Sequence, residues 1–290
     1  MSGPLVLKLG GELLESGSDR SRVAALAAAV AAQRPLVIVH GGGRAVDAEL
    51  DRRGIAPKKI DGLRVTDRPT LDAVVSVLAG LANTELVAAL VGAGVPAVGQ
   101  TGVDAGLGRA ARAGAHRTAA DQVVDLGFVG DPVDADASLI ELLLVHGYVP
   151  VVASLGLDAA AGAHGTPSVL NVNADVMACR LAAALGGSEL VIAGTTAGVL
   201  DAAGESISTL DAAGIDALVA GGTATAGMIA KLQACRAALL EGVASVRIVD
   251  GRFFDPTHGV ADAPGTTLVL TSAAATRPAA GADHIAFRAT

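Results

Sequence analysis

Short runs of Val, Leu and Ile recur along the chain, and most are continuously apolar: Leu5–Leu9, Leu36–His40, Val95–Gly99, Val149–Ala153, Leu190–Ala193, Val246–Val249 and Thr267–Leu270. A strand that is apolar on both faces belongs in a parallel sheet covered on both sides. Between these runs lie longer, Ala-rich stretches with helical patterning. They predict helices over Ser21–Gln33, Ala45–Arg53, Thr70–Val91, Ala174–Leu185 and Gly227–Glu241. Strand and helix alternate throughout, which predicts an α/β fold: a three-layer αβα sandwich on a mainly parallel open sheet with right-handed crossovers. Two stretches break the pattern. Gly102–Pro132 is polar and turn-rich and reads as an irregular or hairpin excursion, and Asp158–Pro167 reads as irregular. The Ala-rich tail, residues 273–290, reads as flexible. No repeat of fixed period is present.

Composition narrows the class. Of 290 residues 51% are apolar but only 2% aromatic, so the core must be Ala, Val, Leu and Ile at close range. The net charge of −8 points away from nucleic acid. Arg109, Arg112 and Arg117 make a local basic stretch that reads as a solvated loop. Cys179 and Cys235 each sit in an apolar helical pattern, as buried free thiols in a reducing compartment would. No signal-peptide pattern opens the chain, and apolar runs such as Ala24–Ala32 fall short of the roughly 20 residues that span a membrane. The expectation is a soluble cytoplasmic protein with no membrane partner.

Candidate chemistry gathers at strand ends, where parallel sheets hold ligands. Lys8-Leu9-Gly10-Gly11 closes one apolar strand with a lysine and two glycines, a composition that suits an anion but also a plain tight turn. His40-Gly41-Gly42-Gly43 follows another strand, and three glycines in a row are hard to explain by a turn alone. His40 has no partner cluster and reads as a packed strand-end residue. Neither a G-x-G-x-x-G nor a G-x-x-x-x-G-K-[ST] motif is present. Asn171-Val172-Asn173-Ala174-Asp175 precedes a helix. One of its polar residues could cap that helix, and an extended backbone would aim all three in one direction. Gly227-Met228-Ile229-Ala230-Lys231 opens a further helix. The chain has only four lysines, Lys8, Lys58, Lys59 and Lys231, so two of them beside glycines look chosen for a compact point charge.

Taken in order, these segments resemble the amino acid kinase family. The resemblance is also carried by Asp61-Gly62-Leu63-Arg64-Val65-Thr66, Leu126-Gly127-Phe128-Val129-Gly130, Gly147-Tyr148-Val149-Pro150-Val151-Val152-Ala153-Ser154-Leu155-Gly156 and Gly198-Val199-Leu200-Asp201, and it spans about Leu5 to Leu270. It is closest to the branch that phosphorylates the side-chain carboxylate of N-acetyl-L-glutamate with ATP in arginine biosynthesis.

That resemblance implies two lobes: residues 1–177 for the acyl amino acid and for dimerisation, and residues 178–272 for the nucleotide. It implies that Lys8 and Lys231 stabilise the phosphoryl group in transfer and that Asp175 orients them. Gly10 and Gly11 would donate N–H groups to phosphates, with Thr195, Gly198, Gly227 and Met228 on the nucleotide side. Gly42 and Gly43 would bind the attacking carboxylate. Arg64 would pair with the α-carboxylate, while Asn171 and Asn173 would hold the rest of the acceptor. ATP would hold Mg²⁺, with no protein metal ligands. Thr195 stands where the family usually has a nucleotide-facing Asp, and Arg252–Gly265 keeps little of the family pattern. With only Met1 to Pro4 before the first strand, the resemblance further implies a homodimer insensitive to arginine, paired through Thr70–Val91.

Carboxylate phosphorylation needs no general base, because the acceptor is ionised at neutral pH. What it needs is alignment of two anions and neutralised charge. A sister kinase acting on carrier-linked aminoadipate or glutamate, or on N-succinylglutamate, shares these motifs; Arg109, Arg112 and Arg117 would then dock an acidic carrier. A non-catalytic amino-acid or nucleotide sensor would have little reason to keep Lys8, Lys231 and Asp175 together.

Overall fold

The computed structural model describes residues 3–60, 62–118, 121–160, 168–221, 226–260 and 262–270. The expectations for 161–167 and for the tail, 273–290, lie outside the described residues.

In chain order the elements are β1 (Leu5–Leu9), α1 (Gly17–Ala31), β2 (Leu36–His40) and α2 (Gly43–Arg52). A 25-residue helix follows, α3 (Arg68–Gly92). Then come β3 (Ala97–Gly102), β4 (Gly108–Arg112), β5 (Val129–Ala135), α4 (Ser138–Val145), β6 (Val149–Asp158) and β7 (Val169–Val172). The chain continues with α5 (Ala174–Ala184), β8 (Glu189–Gly194), β9 (Thr209–Leu210), α6 (Ala212–Ala220), α7 (Ala226–Leu240), β10 (Ser245–Asp250) and β11 (Gly265–Leu268).

These strands form one sheet in the order β7-β5-β4-β6-β2-β1-β8-β10-β11-β9, with β3 also on β6. The central pairings, β6–β2–β1–β8–β10, are all parallel. Successive residues of the central strands face opposite layers, as the pleat requires. Val6, Val37, Val39, Ile192 and Ile248 pack with α5 and α7 residues such as Ala178, Leu181, Leu232 and Cys235. Leu5, Leu7, Leu9, Ile38 and Val191 pack with Leu26 and Ala27 of α1 and with Leu86 and Leu90 of α3. That is the three-layer αβα sandwich the apolar runs imply. The sheet is continuous across the expected boundary at residue 177, which falls inside α5. Both cysteines are free and buried.

Local chemistry sets the helix starts. Ser16 and Asp19 form a reciprocal capping box, so α1 begins at Gly17, earlier than the apolar pattern indicates. Asp67 caps α3 through the Thr70 N–H, with Pro69 in the first turn. Gly102–Pro132, read as an irregular or hairpin excursion, supplies β4 and the start of β5, which do pair antiparallel; the departure is that this pair lies inside the main sheet.

Gly198 has a left-handed backbone, φ +96°, and a Cβ there would come within 2.5 Å of Thr266 Oγ1. Gly198→Ala is therefore expected to cost about 2 kcal/mol of stability, read as a lower urea midpoint at unchanged slope. The same geometry gives this glycine a packing reason of its own, independent of nucleotide.

Candidate active site

From β1 the chain winds one way to β2, while its second half is laid down the other way from β8. The reversal between β1 and β8 opens a crevice at their carboxyl ends, the place where such sheets bind ligands. Lys8 stands near the end of β1. Asp175 lies in the first turn of α5, and Lys231 lies on α7. The Lys8 Nζ is 2.7 Å from Asp175 Oδ1, and the Lys231 Nζ is 3.4 Å from Asp175 Oδ2. Burial pushes the Asp175 carboxyl up, but Lys8 and then Lys231 outweigh it and hold it below the usual carboxylate range. Two cations around one carboxylate leave a positive excess, so the cluster attracts an anion. Asp175 holds the two lysines together across the α5–α7 contact.

The glycine turns stand beside this cluster. A Cβ on Gly11 would come within 2.9 Å of the Gly42 Cα, so the turns after β1 and β2 can approach only without side chains. By contrast a Cβ on Gly43 would meet open space, so the protein's own packing does not require glycine there. Gly42 caps α2 and Gly43 is its first residue, so their N–H groups have no intrahelical acceptor. Gly11 opens a short 3₁₀ turn in the same way. Gly10 differs: its N–H donates to the Ala193 carbonyl at 2.8 Å and is not free for a phosphate.

A cavity of about 460 Å³ opens from the Gly41–Gly43 turn and is walled by Arg64, Asn171, Asn173 and Ala174 together with Val74, Leu78, Leu126 and Val129. Arg64 is only 9% exposed. Its Nη2 lies 2.6 Å from Asp47 Oδ1 and donates to the Gly43 carbonyl at 3.1 Å, while the buried Nη1 has no hydrogen-bond partner among the described residues. Arg64 brings a guanidinium charge to the cavity wall, and such a group pairs readily with carboxylates. Lys59 reaches the same Asp47 at 2.8 Å. Burial pushes the Asp47 carboxyl up, but Lys59 and Arg64 hold it below the ordinary range.

Asn171 donates to Thr66 Oγ1 at 3.1 Å, and Thr66 in turn donates to the Arg64 carbonyl. Asn173 is the cap of α5, accepting from the N–H groups of Asp175 and Val176. The expectation that Asn171, Asn173 and Asp175 point one way by strand alternation is corrected here. β7 ends at Val172, and Asp175 is aimed by the first turn of a helix. Asp47, Lys59 and Thr66 have no site role in the sequence reading; Asp47 carries no motif, and its place follows only from the arginine it meets in space.

Thr195, Gly198, Gly227 and Met228 stand away from this cavity, at the ends of the second-half elements. The Thr195 carbonyl accepts from Arg252 at 2.9 Å, and Arg252 is forked onto the buried Asp250. Gly227 and Met228 lie in the first turn of α7, one turn before Lys231.

His40 ends β2 and is fully buried. Burial pushes its imidazole down to about 4. Between an unfolded value of roughly 6.5 and about 4, the unfolded chain therefore binds a proton that the folded chain refuses. Stability is full above that window and falls as pH drops through it, by up to about 3 kcal/mol. Melting temperatures between pH 7 and 4 are expected to show this slope in the wild type, with a shallower slope in His40→Asn.

A switch-point crevice holding a Lys–Asp–Lys cluster beside glycine turns suits an anionic ligand. The profile of the amino acid kinase family matches residues 3–250, and the chain belongs to that family. It is 42% identical over 219 residues to an acetylglutamate kinase of Symbiobacterium thermophilum, covering 74% of this chain and 73% of that one. It is 39% identical to an acetylglutamate kinase of Koribacter versatilis, covering 92% and 99%. Among solved structures it superposes on smu.665 from Streptococcus mutans with TM-score 0.73 at 27% identity, covering 92% and 99%. It also superposes on an N-acetylglutamate synthase from Neisseria gonorrhoeae with TM-score 0.76 at 24% identity. There it covers 92% of this chain but only 59% of the synthase chain, and the likeness shows the fold alone.

Proposed function

We propose that this kinase transfers the terminal phosphoryl group of ATP to the side-chain carboxylate of N-acetyl-L-glutamate, giving N-acetylglutamyl 5-phosphate, the second step of arginine biosynthesis. The observation that carries the reading is the Lys8–Asp175–Lys231 cluster at the switch point. The relatives' names supply the acceptor. In this reading Lys8 and Lys231 neutralise charge on the equatorial oxygens in transfer, and Asp175 fixes their spacing. The N–H groups of Gly42 and Gly43 hold the attacking carboxylate, and Gly11 faces the phosphates. The Arg64 guanidinium takes the α-carboxylate, and Asn171 supports the acyl side of the cavity. The first half of the chain binds the acceptor, and the second half, including Thr195, Gly227 and Met228, binds the nucleotide.

Mg²⁺ fits this site as a companion of the nucleotide. The two oxygens of Asp175 face the two lysines, so the ion's ligands would come from phosphates and water, the usual habit of Mg²⁺. When bound, it would neutralise phosphate charge. The protein would work in the cytoplasm as a homodimer. α3, with Leu81 and Val91 exposed on it, is the candidate two-fold helix.

The carrier-linked reading is less well supported. Arg117 pairs with Asp121, Arg112 stacks on Phe128, and Arg109 lies opposite Asp134 in the sheet, so the three arginines do not form a uniform basic platform. The test is ADP release measured with N-acetylglutamate, N-succinylglutamate and free glutamate. The acetylated substrate is expected to be favoured by at least tenfold in kcat/KM. A preference for either of the others would overturn the acceptor assignment.

A further inference from the structure

His40 touches the site without belonging to it. Its Nδ1 lies 3.1 Å from the Gly41 carbonyl oxygen, and its Nε2 lies 3.0 Å from the Asn83 Nδ2. An amide nitrogen can only donate, so Nε2 accepts and the ring proton sits on Nδ1, donating to Gly41. Asn83 donates to the Val151 carbonyl as well, at 3.0 Å, which fixes the amide against β6. Buried and neutral, the imidazole keeps this single tautomer.

The fold goes to some length to place that amide. Asn83 is a buried polar residue on α3, directly after a π-helical stretch, Ser76–Ala82. The wider turns of such a stretch shift the helix phase, and they recur at functional sites. Across from it, a Cβ on Gly99 of β3 would collide with Asn83 Oδ1, so the amide can lie on the sheet only over glycine. A phase shift, a glycine and a buried amide thus converge on one imidazole. That imidazole's other nitrogen grips the first peptide of the Gly41–Gly43 turn. The far side of the turn is closed as well, since a Cβ on Gly42 would come within 2.8 Å of Leu78 Cδ2.

We propose that His40, held by Asn83, is a positioning residue for phosphoryl transfer: it fixes the Gly41 peptide and so aims the Gly42 and Gly43 N–H groups at the reacting carboxylate. The inference rests on the reading of those two N–H groups given above. His40 neither contacts substrate nor moves a proton, and an acceptor that is already a carboxylate asks for no base.

Three variants in the full-length enzyme test it: His40→Asn, His40→Gln and Asn83→Ser. An asparagine amide can overlay Nδ1 and keep the bond to Gly41, whereas a glutamine amide reaches the Nε2 position and loses it. H40N is expected to keep kcat/KM for the acyl amino acid within about fivefold. H40Q is expected to lose about 10²-fold, the scale of an ångström-sized misplacement, with the KM for ATP unchanged within twofold. N83S is expected to lose about tenfold with the same split. Equal losses in H40N and H40Q would overturn the inference. So would a rise in both KM values that follows the melting temperature, which marks a merely structural role. Wild-type turnover separates the two claims: an inactive wild type removes the functional reading itself, whereas an active wild type with equal variants removes only this inference.

Discussion

Lys231→Ala and Lys8→Ala are each expected to lower kcat by about 10²–10³-fold, the usual loss when one preorganised electrostatic donor is removed. Both ammonium groups are mostly buried and converge on Asp175, so neither is a solvated surface charge. In the proposed role their work is concentrated in the transition state, where charge spreads over the equatorial oxygens between two anions. Each variant leaves Asp175 with one remaining partner, so the fold should survive. Kinetics beside matched thermal melts check this. Near-normal turnover in either variant would remove that lysine from the mechanism, and a collapse of the melt would assign it to the fold.

Arg64→Lys is expected to raise the KM for the acyl amino acid by roughly 10–100-fold and to leave the KM for ATP almost unchanged. A charge-assisted hydrogen bond is worth about 1.5–3 kcal/mol, and a lysine cannot both satisfy Asp47 and present a second nitrogen to a carboxylate. The geometry sharpens the expectation, because Nη2 is already committed to Asp47 and Gly43 while the buried Nη1 has no acceptor among the described residues. Asp47→Asn should produce a weaker version of the same change, by loosening the arginine without removing it. Equal changes in both KM values would make Arg64 a structural residue.

The Lys8–Asp175–Lys231 cluster was legible in the sequence because lysine is rare in this chain. Lys8 and Lys231 each lie close to glycines in apolar surroundings, and Asp175 closes a run of alternating polar residues before a strong helix. The parallel core was legible because a buried strand shows no alternation: Leu5–Leu9 and Leu36–His40 have the same bounds in sequence and structure. What stayed hidden has physical causes. β4 and β5 carry exposed Arg109, Asp131 and Asp134 on strands that pair with each other, so they show no apolar run. Asp47 and Lys59 are ordinary polar residues until the fold brings them to Arg64. Gly10 and Gly11 look alike in sequence, yet the register of β1 on β8 gives the Gly10 N–H to Ala193 and leaves only the next one for a ligand. Asn173 carries two readings, cap and ligand, and its hydrogen bonds favour the cap. His40 read as a packed residue, which it is, but packing alone does not disclose the carbonyl it grips.

The most direct measurement is of the product itself. Enzyme, Mg²⁺-ATP and N-acetyl-L-glutamate are incubated with hydroxylamine, which converts an acyl phosphate to a hydroxamate, and hydroxamate is compared with ADP. The account predicts stoichiometric hydroxamate that depends on the acetylated acceptor and forms about 10²–10³-fold more slowly in Lys231→Ala. ADP release without hydroxamate, or hydroxamate formed at the wild-type rate in the variant, would contradict it.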